Sequence, residues 1–212
     1  MVFISLGFAC LVRQSIDVFN GFRVETNFFD WLMTNFSTVL FILQNIDNPS
    51  CYLSHDRFKD KGIADNNPAH RIVEHNELYF TSLHDFPSEM GYWDYIYSFI
   101  KKYERRCERM KNIIKTNKEK IHFIHYVAYS IHIPTIEQIY YFILALNAIN
   151  SNCNFSLNLL IPPELHNEME NINKLKIANN INIHYMYSDG SPINLQRSDL
   201  NWNKIYTEIQ NN

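Results

Sequence analysis

The sequence predicts an α/β fold, a mostly parallel, Rossmann-like three-layer sheet with a small antiparallel hairpin insertion. Three observations predict it. The second half alternates apolar strand runs with helical periodicity, and that pattern implies right-handed crossovers and a sheet covered on both faces. The chain opens on a short strand-forming run, Val2-Phe3-Ile4, leading through a turn into a helix. Between the halves, residues 50–82 abandon the alternation and carry hairpin signals instead. At 212 residues the length suits one α/β domain over 1–212, with 50–82 as an insertion or hairpin lobe.

Taken in order, Ser5-Leu6-Gly7 turns the chain and Cys10 opens a helix. Leu11, Val12, Ile16 and Phe19 give that helix its apolar stripe, and Asn20-Gly21 stops it. Phe22 to Met33 is rich in aromatics and holds one acid, Asp30. Ser37 or Thr38 caps a second helix whose stripe is Val39, Leu40, Ile42, Leu43 and Ile46. Ser50 to Pro68 is polar and turn-rich, so it reads as a surface insertion. Arg71–His75 and Glu77–Thr81 read as two strands about a turn at His75-Asn76. Pro87 cannot extend a ladder, which sets His84 at a strand end or in the loop after it. Ile96, Phe99, Ile100, Tyr103, Cys107, Met110 and Ile114 then mark a long amphipathic helix. Its outer face, Lys101 to Lys111, mixes acids and bases like a solvated surface, and its Cys107 reads as core. Strands follow at Ile121–Val127, Phe155–Ile161 and Ile181–Tyr187. Helices begin at Pro134-Thr135, with Gln138 completing a capping box, at Pro162-Pro163-Glu164, running to about Lys176, and near Asn201. Ser188-Asp189-Gly190-Ser191-Pro192 is a turn.

Composition narrows the function classes. The apolar fraction is 46% and the charged fraction 19%, ordinary for a globular protein. A formal charge of −3 argues against a nucleic-acid partner. The N-terminal apolar run is too short for a membrane span and lacks the charges of a signal peptide. Cys10, Cys51, Cys107 and Cys153 are widely spaced with no C-x-x-C pair, which predicts free thiols, a reducing cytoplasmic setting and no structural zinc. His122-x-x-His125 has the wrong period for one strand face, so no metal pair is expected there. Neither G-x-G-x-x-G nor a Walker loop occurs, and no cofactor is expected. The excess of Asn, Ile and Lys matches AT-rich coding, as in some large DNA viruses and low-GC bacteria.

Sites in parallel sheets gather at the carboxyl ends of the strands. That rule selects Cys10, His84-Asp85, His125 to His132, Pro162-Pro163 and Ser188-Asp189-Gly190. A thiol between a strand end and a helix N-terminus meets backbone N–H dipoles that favour the thiolate. A Cys–His pair with an orienting acid is the minimum set for nucleophilic acyl transfer. Cys10 as nucleophile and His84 as base fit, with Asp85, Asp30 or Asp189 as the acid. The competing reading of Cys10 is a small buried residue, and of Asp30 a helix cap.

Ser5-Leu6-Gly7-x-x-Cys10, Phe29-Asp30-Trp31, His84-Asp85-Phe86, Lys102-Tyr103-Glu104-Arg105-Arg106 and the apolar strand near Phe123-Ile124 together resemble the DUF1796 family. That family is described as papain-like cysteine peptidases and occurs in bacteria and large DNA viruses. The resemblance covers residues 3 to 130, and the remainder more loosely. It implies a Cys–His hydrolase with Cys10 and His84 on the family's Cys and His positions. Phe28 stands where the family's Pro-Phe-Asp-Trp has proline, and the acid is kept. The expected catalytic set is Cys10, His84, Asp85 and Asp30, with Ser5, Gly7, Arg13, Trp31 and Phe86 in substrate binding. A papain-like fold would pack the cysteine helix on an antiparallel sheet, whereas the chain's own pattern puts parallel βα units after Cys10. The expected substrate is a peptide or acyl compound. The rival readings are a Rossmann-like protein that binds or transfers a glycan or nucleotide-sugar, with Cys10 only packing, and an inactive interaction module.

Overall fold

The computed structural model describes residues 2–22, 25–64, 67–191 and 197–211, without the side chains of Ala9, Cys10, Ala64 and Asn67. It contains a parallel sheet and an antiparallel sheet of four strands each. In chain order the elements are β1 (Val2–Ser5), α1 (Ala9–Asn20), β2 (Leu32–Thr34), α2 (Phe36–Gln44), β3 (Phe58–Ala64), β4 (Asn67–His75) and β5 (Phe80–Pro87). Then come α3 (Tyr92–Thr116), β6 (Ile121–Tyr126), α4 (Ile136–Ile149), β7 (Phe155–Ile161), α5 (Met169–Asn173), β8 (Ile181–Tyr185) and α6 (Trp202–Gln210).

The parallel sheet runs β1-β6-β7-β8. β6 and β7 are buried along their whole length, as expected of strands covered on both faces. Alternating residues feed two apolar clusters. Phe123, Leu157, Leu159 and Ile161 join residues of α2, α3, α4 and α5. Ile124, Leu160 and Met186 join α1 and α6. Each step along the sheet goes the same way, so right-handed crossovers put α4 and α5 on one face. Among the described residues the order has no reversal, and so none of the switch-point crevice where doubly wound sheets hold dinucleotides.

The antiparallel strands correct the expected small hairpin. They form a full sheet, β2-β5-β4-β3, whose Phe58, Val73, Phe80 and Phe86 pack into the same cluster as α3. The stretch read as a polar insertion supplies β3 and the start of β4. It looked irregular because its polar residues pair across strands: Arg71 holds Asp60 at 2.6 Å, and Lys59 and Lys61 flank Glu74. The second hairpin strand is Phe80–Pro87, not Glu77–Thr81, so His84 lies inside a strand. Asn35, not Ser37 or Thr38, caps α2, accepting from the Thr38 N–H at 2.9 Å. The helix expected from Pro162 to Lys176 is a 3-10 segment, Pro163–Glu168, followed by the short α5. The capping box at Thr135 and Gln138 is present on α4. Ser188 bridges to Leu200, while Pro192 lies outside the described residues.

Candidate active site

β1 ends at Ser5, whose buried hydroxyl accepts from the Gly7 N–H at 3.2 Å. Leu6 still donates its N–H to the Ile124 carbonyl. Gly7 then takes φ +94°, and a Cβ there would stand 1.8 Å from Thr34 Oγ1. Thr34 Oγ1 in turn donates to the Leu6 carbonyl at 3.0 Å. Only a glycine at left-handed φ lets β2 approach this closely. Phe8, also left-handed at φ 69°, precedes α1, and no side chain caps the helix. Cys10 is the second residue of α1. Its backbone sits among first-turn N–H groups, with no acid in that turn to compete for them. The Cys10 side chain lies outside the described residues.

One turn along α1, buried Arg13 binds Asp17 at 2.9 Å and Asp30 at 2.8 Å. Asp30 Oδ2 also accepts from the Asn27 N–H at 2.7 Å, while Oδ1 is buried without a hydrogen bond. Burial pushes the Asp30 carboxyl up to about 6, against the pull of Arg13, the Asn27 N–H and Arg106. Arg106 reaches the Asp30 carbonyl at 3.4 Å and lies over the Tyr103 ring. The next residue, Trp31, has φ 71°, a strained value for a bulky residue. Its ring meets His84 edge-on at 6.1 Å.

His84 sits on a β-bulge. Val73 pairs with Ser82 and Arg71 with Phe86, so Leu83, His84 and Asp85 face Ile72 alone. Bulges re-aim side chains and recur beside active sites. The half-buried His84 ring also meets His70, at 5.8 Å. Burial, helped by His70 and opposed by Asp85, holds its pKa below the usual histidine value, favouring the neutral imidazole.

The described hydrogen bonds of Asp85 lead away from His84. Oδ2 accepts from Ser82 at 2.8 Å and Tyr103 at 2.7 Å, and Oδ1 takes Lys102. Burial opposes its ionisation, yet Lys102, Tyr103 and Ser82 together keep the carboxyl below the ordinary aspartate value. Asp85 thus ties the bulge to α3. Phe86, expected in substrate binding, is buried against Tyr92, Tyr95 and Phe99. The structure therefore groups Arg13 with Asp30, and Trp31 with His84, while Asp85 and Phe86 face the α3 core.

Lys102, Tyr103, Arg106 and Arg109 escaped the sequence reading as parts of this frame. Arg109 binds the Thr26 carbonyl and Glu25. Lys102, Arg106 and Arg109 recur at four- and three-residue intervals, one face of a helix, and that was the available signal. Cys107 is core, with its Sγ 3.2 Å from the Tyr52 hydroxyl. His122 and His125 occupy opposite faces: His122 meets Ser156 at 2.9 Å, and His125 meets the Phe36 ring. Among the described residues, no three His, Cys, Asp or Glu are grouped to hold a metal, and no helix is long and apolar enough to cross a membrane.

The profile of a family described as "Putative papain-like cysteine peptidase (DUF1796)" matches residues 1–162. The chain belongs to the DUF1796 family. The match runs from β1 through β7 and takes in Cys10, Asp30 and His84. No curated protein and no solved structure matches the chain. The family description supports a cysteine hydrolase in the coarse sense and a peptide as substrate.

Proposed function

We propose that the chain is a thiol-dependent hydrolase of peptide or acyl bonds, with Cys10 as nucleophile and His84 as base. The observation that carries this reading is the link from α1 to the bulge. Arg13, three residues beyond Cys10 and so on the same side of α1, grips Asp30, whose neighbour Trp31 packs on His84. In the proposed reaction, His84 takes the thiol proton and the Cys10 thiolate attacks the acyl carbon. First-turn N–H groups of α1 stabilise the oxyanion. The His84 imidazolium then protonates the leaving group, and water cleaves the thioester with His84 again as base. Asp30 serves as a positioning residue. Ser5 and Gly7 shape the turn, and Trp31 lines the substrate side of His84.

In this reading residues 1–212 act as one α/β unit, with the antiparallel sheet as its lobe, in a reducing cytoplasm where the thiol stays available. Its parallel sheet, covered on both faces, is Rossmann-like in that respect. The unreversed strand order weighs against the rival nucleotide-sugar reading, because it provides no switch-point crevice.

Labelling by iodoacetamide as a function of pH, followed on the Cys10 peptide by mass spectrometry, tests the proposal. Alkylation should rise with a midpoint well below ~8.5, the free-thiol value. His84→Gln should move that midpoint upward, and Cys10→Ser should abolish hydrolysis of a fluorogenic peptide library. A midpoint at ~8.5 in both proteins would overturn the assignment.

A further inference from the structure

Four rings from three separate segments meet beside the turn that leads to Cys10. Phe8 comes from the turn itself, Tyr79 from the connection between β4 and β5, and Tyr129 and His132 from the loop after β6. His132 is at the centre, with ring centroids 5.2 Å from Tyr79, 5.4 Å from Tyr129 and 6.1 Å from Phe8. Phe8 also meets Tyr129 at 5.9 Å. The group is neither closed core nor open surface. His132 is 8% exposed, while Tyr79 is 40%, Tyr129 57% and neighbouring Ile131 85% exposed. His132 Nδ1 is buried without a hydrogen bond, an unmet polar position at the floor of an aromatic rim.

We infer that Phe8, Tyr79, Tyr129 and His132 form the specificity subsite of the proposed hydrolase, and that it takes an aromatic side chain of a peptide substrate. The inference rests on Cys10 being the nucleophile, because Phe8 lies two residues before it. Ring geometry selects the occupant. Tyr79–His132, Tyr129–His132 and Phe8–Tyr129 are all edge-to-face, at 65°, 74° and 76°. Such rings make a cup that another aromatic ring completes, whereas a sugar needs a flat ring face to lie on. Exposed Ile131 extends the rim with apolar surface.

Three alkylating probes separate this inference from the reading beneath it. N-ethyliodoacetamide, N-(2-phenylethyl)iodoacetamide and N-iodoacetylglucosamine each lose iodide as a carbon–sulfur bond forms, and differ in the group carried beside the thiol. On the intact chain the phenylethyl probe should label the Cys10 peptide about 10-fold faster than the ethyl probe, the gain expected for seating one aromatic ring. Tyr129→Ala and Tyr79→Ala should each bring that ratio towards one. Tyr140→Ala, an exposed aromatic on α4, should leave it intact. Melting curves identify any variant that has lost its fold, and Tyr129→Leu, which keeps apolar bulk without the ring, then stands in with a partial loss. A ratio near one on the intact chain, an equal loss in Tyr140→Ala, or faster labelling by the glucosamine probe would overturn the subsite. A low-midpoint thiolate without an aryl preference would refute the subsite alone, whereas an ordinary thiol midpoint refutes the hydrolase.

Discussion

Asp30→Asn offers a direct measure of what the buried acid does to the fold. Burial raises the Asp30 carboxyl from 3.8 to about 6, although Arg13, the Asn27 N–H and Arg106 all favour its charge. A folded-state pKa above the unfolded one means that the native chain binds the proton more tightly. The associated stability is present below pH ~3.8 and is lost as pH rises through ~6. About two pKa units at 1.36 kcal/mol each give roughly 3 kcal/mol across that window. The amide of the variant cannot titrate, and Asp85 and the other acids are common to both proteins, so the difference between the two stability curves isolates Asp30. Urea unfolding of both proteins at half-unit steps from pH 3.5 to 7.5 would supply it. The wild type should lose up to ~3 kcal/mol relative to Asp30→Asn between pH 4 and 7. Parallel curves, or a wild type that gains on the variant as pH rises, would show that Arg13 dominates and that Asp30 is an ordinary ion-pair carboxylate.

The turn and the bulge give further expectations. Gly7→Ala should cost at least about 2 kcal/mol, from left-handed φ together with the clash on Thr34; the cost should shrink in a Thr34→Ala background, and equal costs in both would refute the close approach. Tyr103→Phe removes a donor from the buried Asp85 carboxylate and should lower stability by about 1.5–3 kcal/mol in urea melts. Asp85→Asn should flatten the loss of stability on acidification below the ordinary aspartate range, because a depressed carboxyl contributes stability above its unfolded pKa that disappears as pH falls through the folded one. For catalysis, the acidic limb of kcat/KM should lie below pH ~6.5, following the lowered His84 value; a limb above that value would remove His84 as the base.

The parallel units were legible because β6 and β7 are mostly apolar runs and α4 between them keeps its stripe. β2 was not: Leu32-Met33-Thr34 is too short to show a period, and it exists as a strand because β5 pairs with it. β3 and the start of β4 were hidden by their polarity, since a residue such as Asp60 is satisfied only across the ladder, by Arg71. Cys10 and His84 stood out as residue types; Cys10 follows the end of parallel β1 as the edge rule expects, whereas His84 lies inside antiparallel β5. The partners of the two acids were less visible. Lys102 and Arg106 sit in a run of mixed charge that resembles a solvated face, and nothing local reveals that they turn inward onto Asp85 and Asp30. Asp85 adjoins His84 in sequence, yet the bulge sends its carboxylate to α3.

The pairing of β1 bears on the order of assembly. Val2 aligns with Ile121 and Ser5 with Ile124, and the whole antiparallel sheet and α3 lie between them in the chain. During synthesis β1 has to wait for β6 before their ladder can form, a long loop to close and a slow step. The Gly7 turn leans on Thr34 and on Leu6, whose N–H is held by the Ile124 carbonyl. A nascent or truncated chain ending before Ile121 therefore carries Cys10 in an unformed elbow, where the proposed activation of its thiol is absent. Under the proposed assignment, the position of β6 in the chain delays arming of the Cys10 thiol until the antiparallel sheet bearing His84 has been made.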